Sequence, residues 1–344
     1  MNARVRTLLL ATLLSAIAFE LAVLAWGESP GSILAQLFAG TWGTRYGTGQ
    51  VLFKATSIAI AGAAAQIALR AGLFQIGVDG AIAVSALAVG AIGATLPAGI
   101  SPFVAWPLLA GVGAAAGAVW TLPIGVLRAR FSAHEVISGI MMNKIAAATV
   151  GYLLSRGLAE KASVHTSPLP LGARLVRLGV FPGSAANVAV VVAIAIVLGW
   201  AWFARRTVFG REVEAIGASE SAARATGIGL ARRQMQVLAL SGAVAGLAAL
   251  NDVMGYKGYA EEGLSGGVGF TGLAAALLAG RSTAGLLFSA LFFATLSQGG
   301  LSINARIPME IVDVVVALVI LFVAVAPELD ARLGSADERP EERA

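Results

Sequence analysis

The sequence holds no cysteine and only two histidines, His134 and His165, in 344 residues. Disulfides, zinc–thiolate centres and cysteine nucleophiles are therefore excluded, and a multi-histidine metal site has too few ligands. Charge is scarce too. Asp, Glu, Lys and Arg together make up 12% of the chain, against roughly 25% in an average soluble domain. No G-x-x-x-x-G-K-[ST] loop occurs, so ATP is not bound in that manner. What the chain has in quantity is apolar surface: 58% hydrophobic residues and 42 glycines. A soluble domain of this length has too little interior to hide that surface. Disorder needs the opposite composition. The solvent that fits is a lipid bilayer. In that setting the net charge of +5 concerns topology rather than nucleic acid, because the basic residues sit between apolar runs.

A membrane helix needs about 20 apolar residues. Ten segments qualify, near 7–26, 51–69, 73–96, 104–127, 134–154, 187–204, 235–254, 264–280, 284–300 and 310–327. The first follows Arg4 and Arg6 and resembles a secretory signal, but it exceeds the roughly 7–15 apolar residues of a signal core and is read as a span. With the N-terminus inside, fifteen Lys and Arg residues fall on the inner side, among them Arg70, Arg128, Arg205, Arg206, Arg224, Arg232, Arg233 and Arg281. Seven fall outside, and Lys54 and Lys144 lie within spans. That bias predicts both termini on the cytoplasmic side. The expected layout is a first half over 1–186, ending in a long outer loop, and a second half over 187–327. An inner loop at 205–234 and a charged, disordered tail at 328–344 complete it.

The halves carry an internal repeat. Gly62-Ala63-Ala64-Ala65-Gln66-Ile67-Ala68 parallels Gly242-Ala243-Val244-Ala245-Gly246-Leu247-Ala248. Gly77-Val78-Asp79-Gly80 parallels Gly269-Phe270-Thr271-Gly272, and Glu135-Val136-Ile137 parallels Glu310-Ile311-Val312. The matches keep their order and are offset by five spans. Because five is odd, the halves must be inverted relative to the membrane, an arrangement common in transporters. The expected fold is thus an all-α polytopic membrane protein of about ten helices in two inverted five-helix repeats. Glycine runs at 72–80 and 263–272 fit two readings at this point: discontinuous helices lining a cavity, or close helix packing through small residues.

Several segments resemble a known family. Phe74-Gln75-Ile76-Gly77-Val78-Asp79-Gly80 resembles a signature of ABC importer permeases of the ribose, branched-chain amino-acid and nucleoside group. His134-Glu135-Val136-Ile137-Ser138-Gly139-Ile140-Met141-Met142-Asn143 is similar to a block of the simple-sugar/nucleoside branch. Glu214 to Ile228 is similar to that branch's inner loop, and Gly280-Arg281-Ser282-Thr283-Ala284-Gly285 and Ile307-Pro308-Met309-Glu310-Ile311-Val312-Asp313 to its last two blocks. Gln75, Asp79, His134 and Ala284 depart from the usual residues. The resemblance implies a transport subunit of the bacterial cytoplasmic membrane, without catalysis or cofactor of its own. It would work with an ABC ATPase that consumes ATP, a second homologous permease and an extracytoplasmic binding lipoprotein. Nucleosides or simple sugars are the implied cargo.

The residues themselves supply candidates. Gln66, Phe74, Gln75, Asp79, Asn143 and Gln298 are polar or aromatic groups within apolar spans. Amides suit a nucleobase edge or sugar hydroxyls, Phe74 can stack on a base, and interhelical hydrogen bonding or packing is the competing reading for the set. Asp79 has Arg70 nearby in sequence, which leaves a structural ion pair open. Glu135 and Glu310 sit where a helix first turn favours a carboxylate. Lys144, in mid-span, should face a pore or pair with an acid such as Asp252 or Asp313. In the inner loop, Ser219 can cap a short helix through Ala223 and Arg224 that stops at Gly227. With Gly217 this forms a candidate ATPase-coupling element, and an ordinary basic inner loop is the alternative. An ion-coupled secondary transporter would also explain inverted halves, but it predicts acids near midspan, and most acids here lie at span ends or in loops.

Overall fold

Backbone amides and carbonyls buried in hydrocarbon must be paired within the protein, and an α-helix pairs them inside one segment. The computed structural model describes residues 3–325 apart from 161, 162, 309, 316, 319, 320, 323 and 324. The expected tail at 328–344 lies outside the described residues. Among those residues the chain is helical, with only isolated β-bridges. The helices are α1 (Ala3–Ala25), α2 (Pro30–Thr41), α3 (Arg45–Arg70), α4 (Val78–Ala94), α5 (Pro102–Phe131), α6 (Glu135–Leu153), α7 (Ala189–Arg206), α8 (Val208–Ala218), α9 (Glu220–Ala225), α10 (Leu230–Gly246), α11 (Val268–Ala279) and α12 (Thr283–Ile303). Beyond α12, the described residues of 310–325 are helical.

Among the described residues, six helical stretches are long and apolar enough to cross a membrane: Arg45–Arg70, Pro102–Phe131, Glu135–Leu158, Ala189–Arg206, Leu230–Lys257 and Thr283–Ile303. The fifth continues α10 through a π-helical stretch, Leu250–Lys257. α4 and α11 are shorter than the expected 73–96 and 264–280, at 17 and 12 residues. A 12-residue helix rises about 18 Å, against roughly 30 Å of hydrocarbon. The shortening has a backbone cause. α3 ends at Arg70, and Gly72 just beyond it takes a φ of +72° as residues 71–77 leave helical geometry. α11 cannot begin before Gly267, which takes φ +77°, a conformation that glycine adopts without penalty. The sequence reading has no element between 26 and 51. α2 lies there, started by Pro30 at its first turn and too short to register as a span.

The chain forms two compact units, residues 1–48 with 292–344, and residues 49–291. In the first, Val23, Ile33, Ile303 and Ile307 share a buried cluster, and Arg306 pairs with Glu28 at 2.7 Å. In the second, α5 and α10 meet through glycines. Gly113, Gly117 and Thr121 recur every four residues on α5 and face Gly242 and Gly246 of α10. A side chain on Gly117 would collide with the Gly242 carbonyl, and one on Gly242 with Gly117 and Thr121. Thr121 Oγ1 donates across this seam to the Leu238 carbonyl at 2.9 Å. Small residues spaced in this way let membrane helices approach closely.

The described part of the long connection over 155–186 is tied down by backbone hydrogen bonds. Backbone bonds from Thr166 to Ala260 (2.8 Å), Leu169 to Gly258 (2.7 Å) and Leu175 to Met254 (2.9 Å) stitch it to the chain that follows α10.

Gly117→Val should force α5 and α10 apart at a cost of about 1–3 kcal/mol, the usual range for overpacking a tight contact. Thermal unfolding in detergent is expected to show a lowered Tm or a loss of folded yield. Gly111→Ala, where an added Cβ meets nothing within 4 Å, should leave the Tm unchanged.

Candidate functional site

The unit formed by residues 49–291 brings both glycine-rich breaks together. Asp79, in the first turn of α4, accepts a hydrogen bond from the Gly269 amide at 3.1 Å and one from Ser265 Oγ at 3.3 Å. Gly269 is the second residue of α11. One carboxylate therefore serves the N-terminal ends of two helices, where their dipoles favour negative charge. The contact is possible because Gly269 has no side chain: a Cβ there would collide with the Asp79 backbone. The two readings of the glycines thus divide by position. Gly72, Gly263, Gly266 and Gly267 turn the backbone with positive φ, whereas Gly77, Gly80, Gly269 and Gly272 permit close approach.

α6 holds the first break from the other side. Asn143 Nδ2 donates to the Ile76 carbonyl at 3.0 Å, and its Oδ1 accepts from the Gly80 amide at 2.8 Å. Glu135 Oε1 accepts from the Phe74 amide at 3.3 Å. The backbone groups freed between α3 and α4 are thus paired by side chains. Phe74 is 38% exposed. Gln75 is fully buried, and neither of its amide atoms has a hydrogen-bond partner among the described residues.

Gln66 lies a turn before the end of α3 and donates to the Gly280 carbonyl at 2.7 Å, capping α11. It lines a cavity of about 320 Å³ with Arg70, Gly217, Ala218, Gly280 and Arg281. Arg70 bonds Glu214 of α8 at 2.8 Å and the Arg281 carbonyl at 2.9 Å. Asp79 is bonded instead to Gly269 and Ser265, so the ion pair left open by sequence is resolved toward Glu214. Gly217 lets α8 abut the end of α3, since a Cβ there would strike the Arg70 carbonyl. Ser219 caps α9, accepting from the Ala222 amide at 3.3 Å, and Gly227 follows with φ +85°. Ala223 is buried and Arg224 exposed.

Gln298 is buried on α12 in the other unit. Lys144 is exposed on α6. Asp252, one acid proposed for it, is bonded to Ser57 at 2.8 Å and lies near Asn251 on its own chain segment. Sequence reasoning gave Glu135 a capping role alone. It missed Arg128, which pairs with both Glu135 and Glu220, and Ser265. A usable signal existed, because Arg70, Arg128, Glu135, Glu214 and Glu220 all fall on the predicted inner side.

The described residues thus give membrane-length helices with paired helix breaks and a capped interhelical element. Residues 47–324 match the family described as "Branched-chain amino acid transport system / permease component". The guanosine ABC transporter permease protein of Bacillus subtilis is 33% identical over 324 residues, covering 92% of each chain. The glucose ABC transporter permease protein of Haloferax volcanii is 30% identical, over 90% of this chain and 85% of its own. The nucleoside ABC transporter permease protein of Lactococcus lactis is 28% identical, over 88% and 86%. No solved structure matches. The chain belongs to this permease family and is a permease component of an ABC transport system.

Asp79→Ala leaves the Gly269 amide and Ser265 unpaired. A loss of about 1.5–3 kcal/mol is expected, the range for hydrogen bonds to a charged group, and Asp79→Asn should lose less. Chemical or thermal unfolding of the purified variants ranks them.

Proposed function

We propose that this chain forms half of the translocation pathway of a bacterial importer that carries nucleosides. The observation that carries the reading is the naming of two relatives for guanosine and for nucleosides, at 33% and 28% identity over about nine-tenths of the chain. A glucose-named relative makes simple sugars the comparison cargo. In this reading the chain spans the cytoplasmic membrane about ten times, as two inverted five-helix repeats over 1–186 and 187–327, with both termini inside. The meeting of α4 and α11 at Asp79 and Gly269 supports it, because these residues belong to sequence-matched segments. The chain holds no cofactor. ATP is consumed by a separate ATPase, and a second homologous permease and an extracytoplasmic binding lipoprotein complete the assembly.

Gln66, Phe74, Gln75, Asp79, Asn143 and Gln298 are proposed to border the pathway. Phe74 and Gln75 are the members with spare capacity, one exposed and the other with an unused amide. Gly217, Ser219, Ala223, Arg224 and Gly227, within the loop 205–234, are proposed to receive the ATPase. A short capped helix with an exposed arginine suits a contact that must pass on motion.

The complete transporter in vesicles should accumulate labelled guanosine only with ATP, and an ATPase subunit disabled in its own P-loop should abolish uptake. Unlabelled nucleosides should compete, and glucose should not. Uptake that survives the disabled ATPase would overturn the reading. Replacing Arg224, or deleting 219–227, is expected to leave membrane insertion intact while ATP hydrolysis no longer drives uptake. Unchanged uptake after the deletion would remove the coupling role.

A further inference from the structure

Resting on the reading of α9 as the element that receives the ATPase, we propose that Arg128 is a positioning residue. It joins α9 to the 71–77 break, so that movement of α9 is passed to Phe74 and Gln75. Arg128 closes the last turn of α5. Its Nη2 meets Glu220, the first residue of α9, at 3.3 Å, and its Nε faces Glu135 at 3.5 Å. Glu135 in turn holds the Phe74 amide at 3.3 Å. Four groups from α9, α5, α6 and the break are linked in series by one guanidinium and two carboxylates. Gln234 adds a bond to the same Glu220 oxygen at 3.0 Å, which ties the start of α10 to the joint.

Two features separate this joint from an ordinary surface ion pair. The link passes from an exposed end to a buried one: the side chains of Glu220, Arg128 and Glu135 are 46%, 26% and 8% exposed. And the segment at the buried end holds Gln75, neither of whose amide atoms has a hydrogen-bond partner among the described residues. A buried, unbonded amide is costly, roughly 1–3 kcal/mol per group. A segment that carries such a cost gains by moving to an arrangement in which the amide finds partners, whether protein, water or cargo. The break is therefore poised to change, and Arg128 is placed to pull on it. The separate Arg70–Glu214 pair fastens α8 to the end of α3 through a buried guanidinium.

The chain has no cysteine, so Phe74→Cys supplies a unique label site. In the complete transporter, labelling of that thiol by a maleimide should change severalfold between nucleotide-free and ATP–vanadate-trapped states. Adding Arg128→Gln should abolish that change. Arg128→Gln alone should cut uptake per ATP hydrolysed by at least tenfold and remove stimulation by loaded binding protein, while the complex still co-purifies. Arg128→Lys should fall between. If Arg128→Gln fails to assemble, Glu220→Gln breaks the same link at its exposed end and must give the same two losses. A native coupling ratio and a native labelling response in an assembled variant would overturn the proposal. Absence of ATP-driven uptake with native Arg128 would strike the importer reading instead.

Discussion

A helix that stops inside an apolar bundle leaves amides and carbonyls that neither lipid nor its own turns can pair. The architecture around the two breaks follows from that constraint. Each interruption is met by a polar side chain from another helix: Asn143 and Glu135 for the break between α3 and α4, Asp79 for the start of α11, and Gln66 for its end. The polar residues in this apolar sequence are few, and most of those near the breaks are spent there. The glycines are the other half of the solution. They turn the chain at Gly72 and Gly267, and elsewhere they bring the partner helices near enough for short side chains to reach.

This sorts the polar span residues by capacity. A group already holding backbone on both sides, as Asn143 does, has little left for cargo. Gln66 and Asp79 are similarly committed. In the proposed pathway, recognition would then fall to Phe74 and Gln75 beside the same breaks, one exposed and the other without a hydrogen-bond partner among the described residues. The same residues that stabilise the interruption fix where the uncommitted ones stand, so scaffold and candidate pathway are one construction.

Much of this was legible in the sequence. Apolar runs between arginines marked the chain as helical and membrane-spanning, and six of the expected segments hold helices long enough to cross a membrane among the described residues, because hydrophobic length is a local property. Ser219 and Gly227 marked α9 for the same reason: capping depends on a few adjacent residues. What was not legible depends on contacts distant in sequence. α2 escaped because 12 residues fall below any span-length signal. The breaks were legible as glycine runs, but their effect on helix length was not. It takes a backbone dihedral at Gly72 and Gly267 to remove the first turns of the expected third and eighth spans. Glu135 shows the limit most clearly. Its first-turn position was visible, yet its hydrogen bond from Phe74 and its ion pair with Arg128 join residues that only the fold brings together.

The contrast between two kinds of contact bears on how such a chain can move. The α5–α10 seam depends on glycines where a side chain would strike the facing carbonyls. Contacts of that kind resist sliding. The Arg128–Glu220 pair is partly exposed and contributes little, about 0–1 kcal/mol, so it can be exchanged for water at small cost, whereas Glu135 at the other end of the link is buried. α5 carries both kinds, with its glycines in the middle and Arg128 at its end. A helix held firmly along its length and loosely at its tip serves as a fixed mount for a movable joint. In the proposed coupling, that division would let a small displacement of α9 reach the break without disturbing the packed interior.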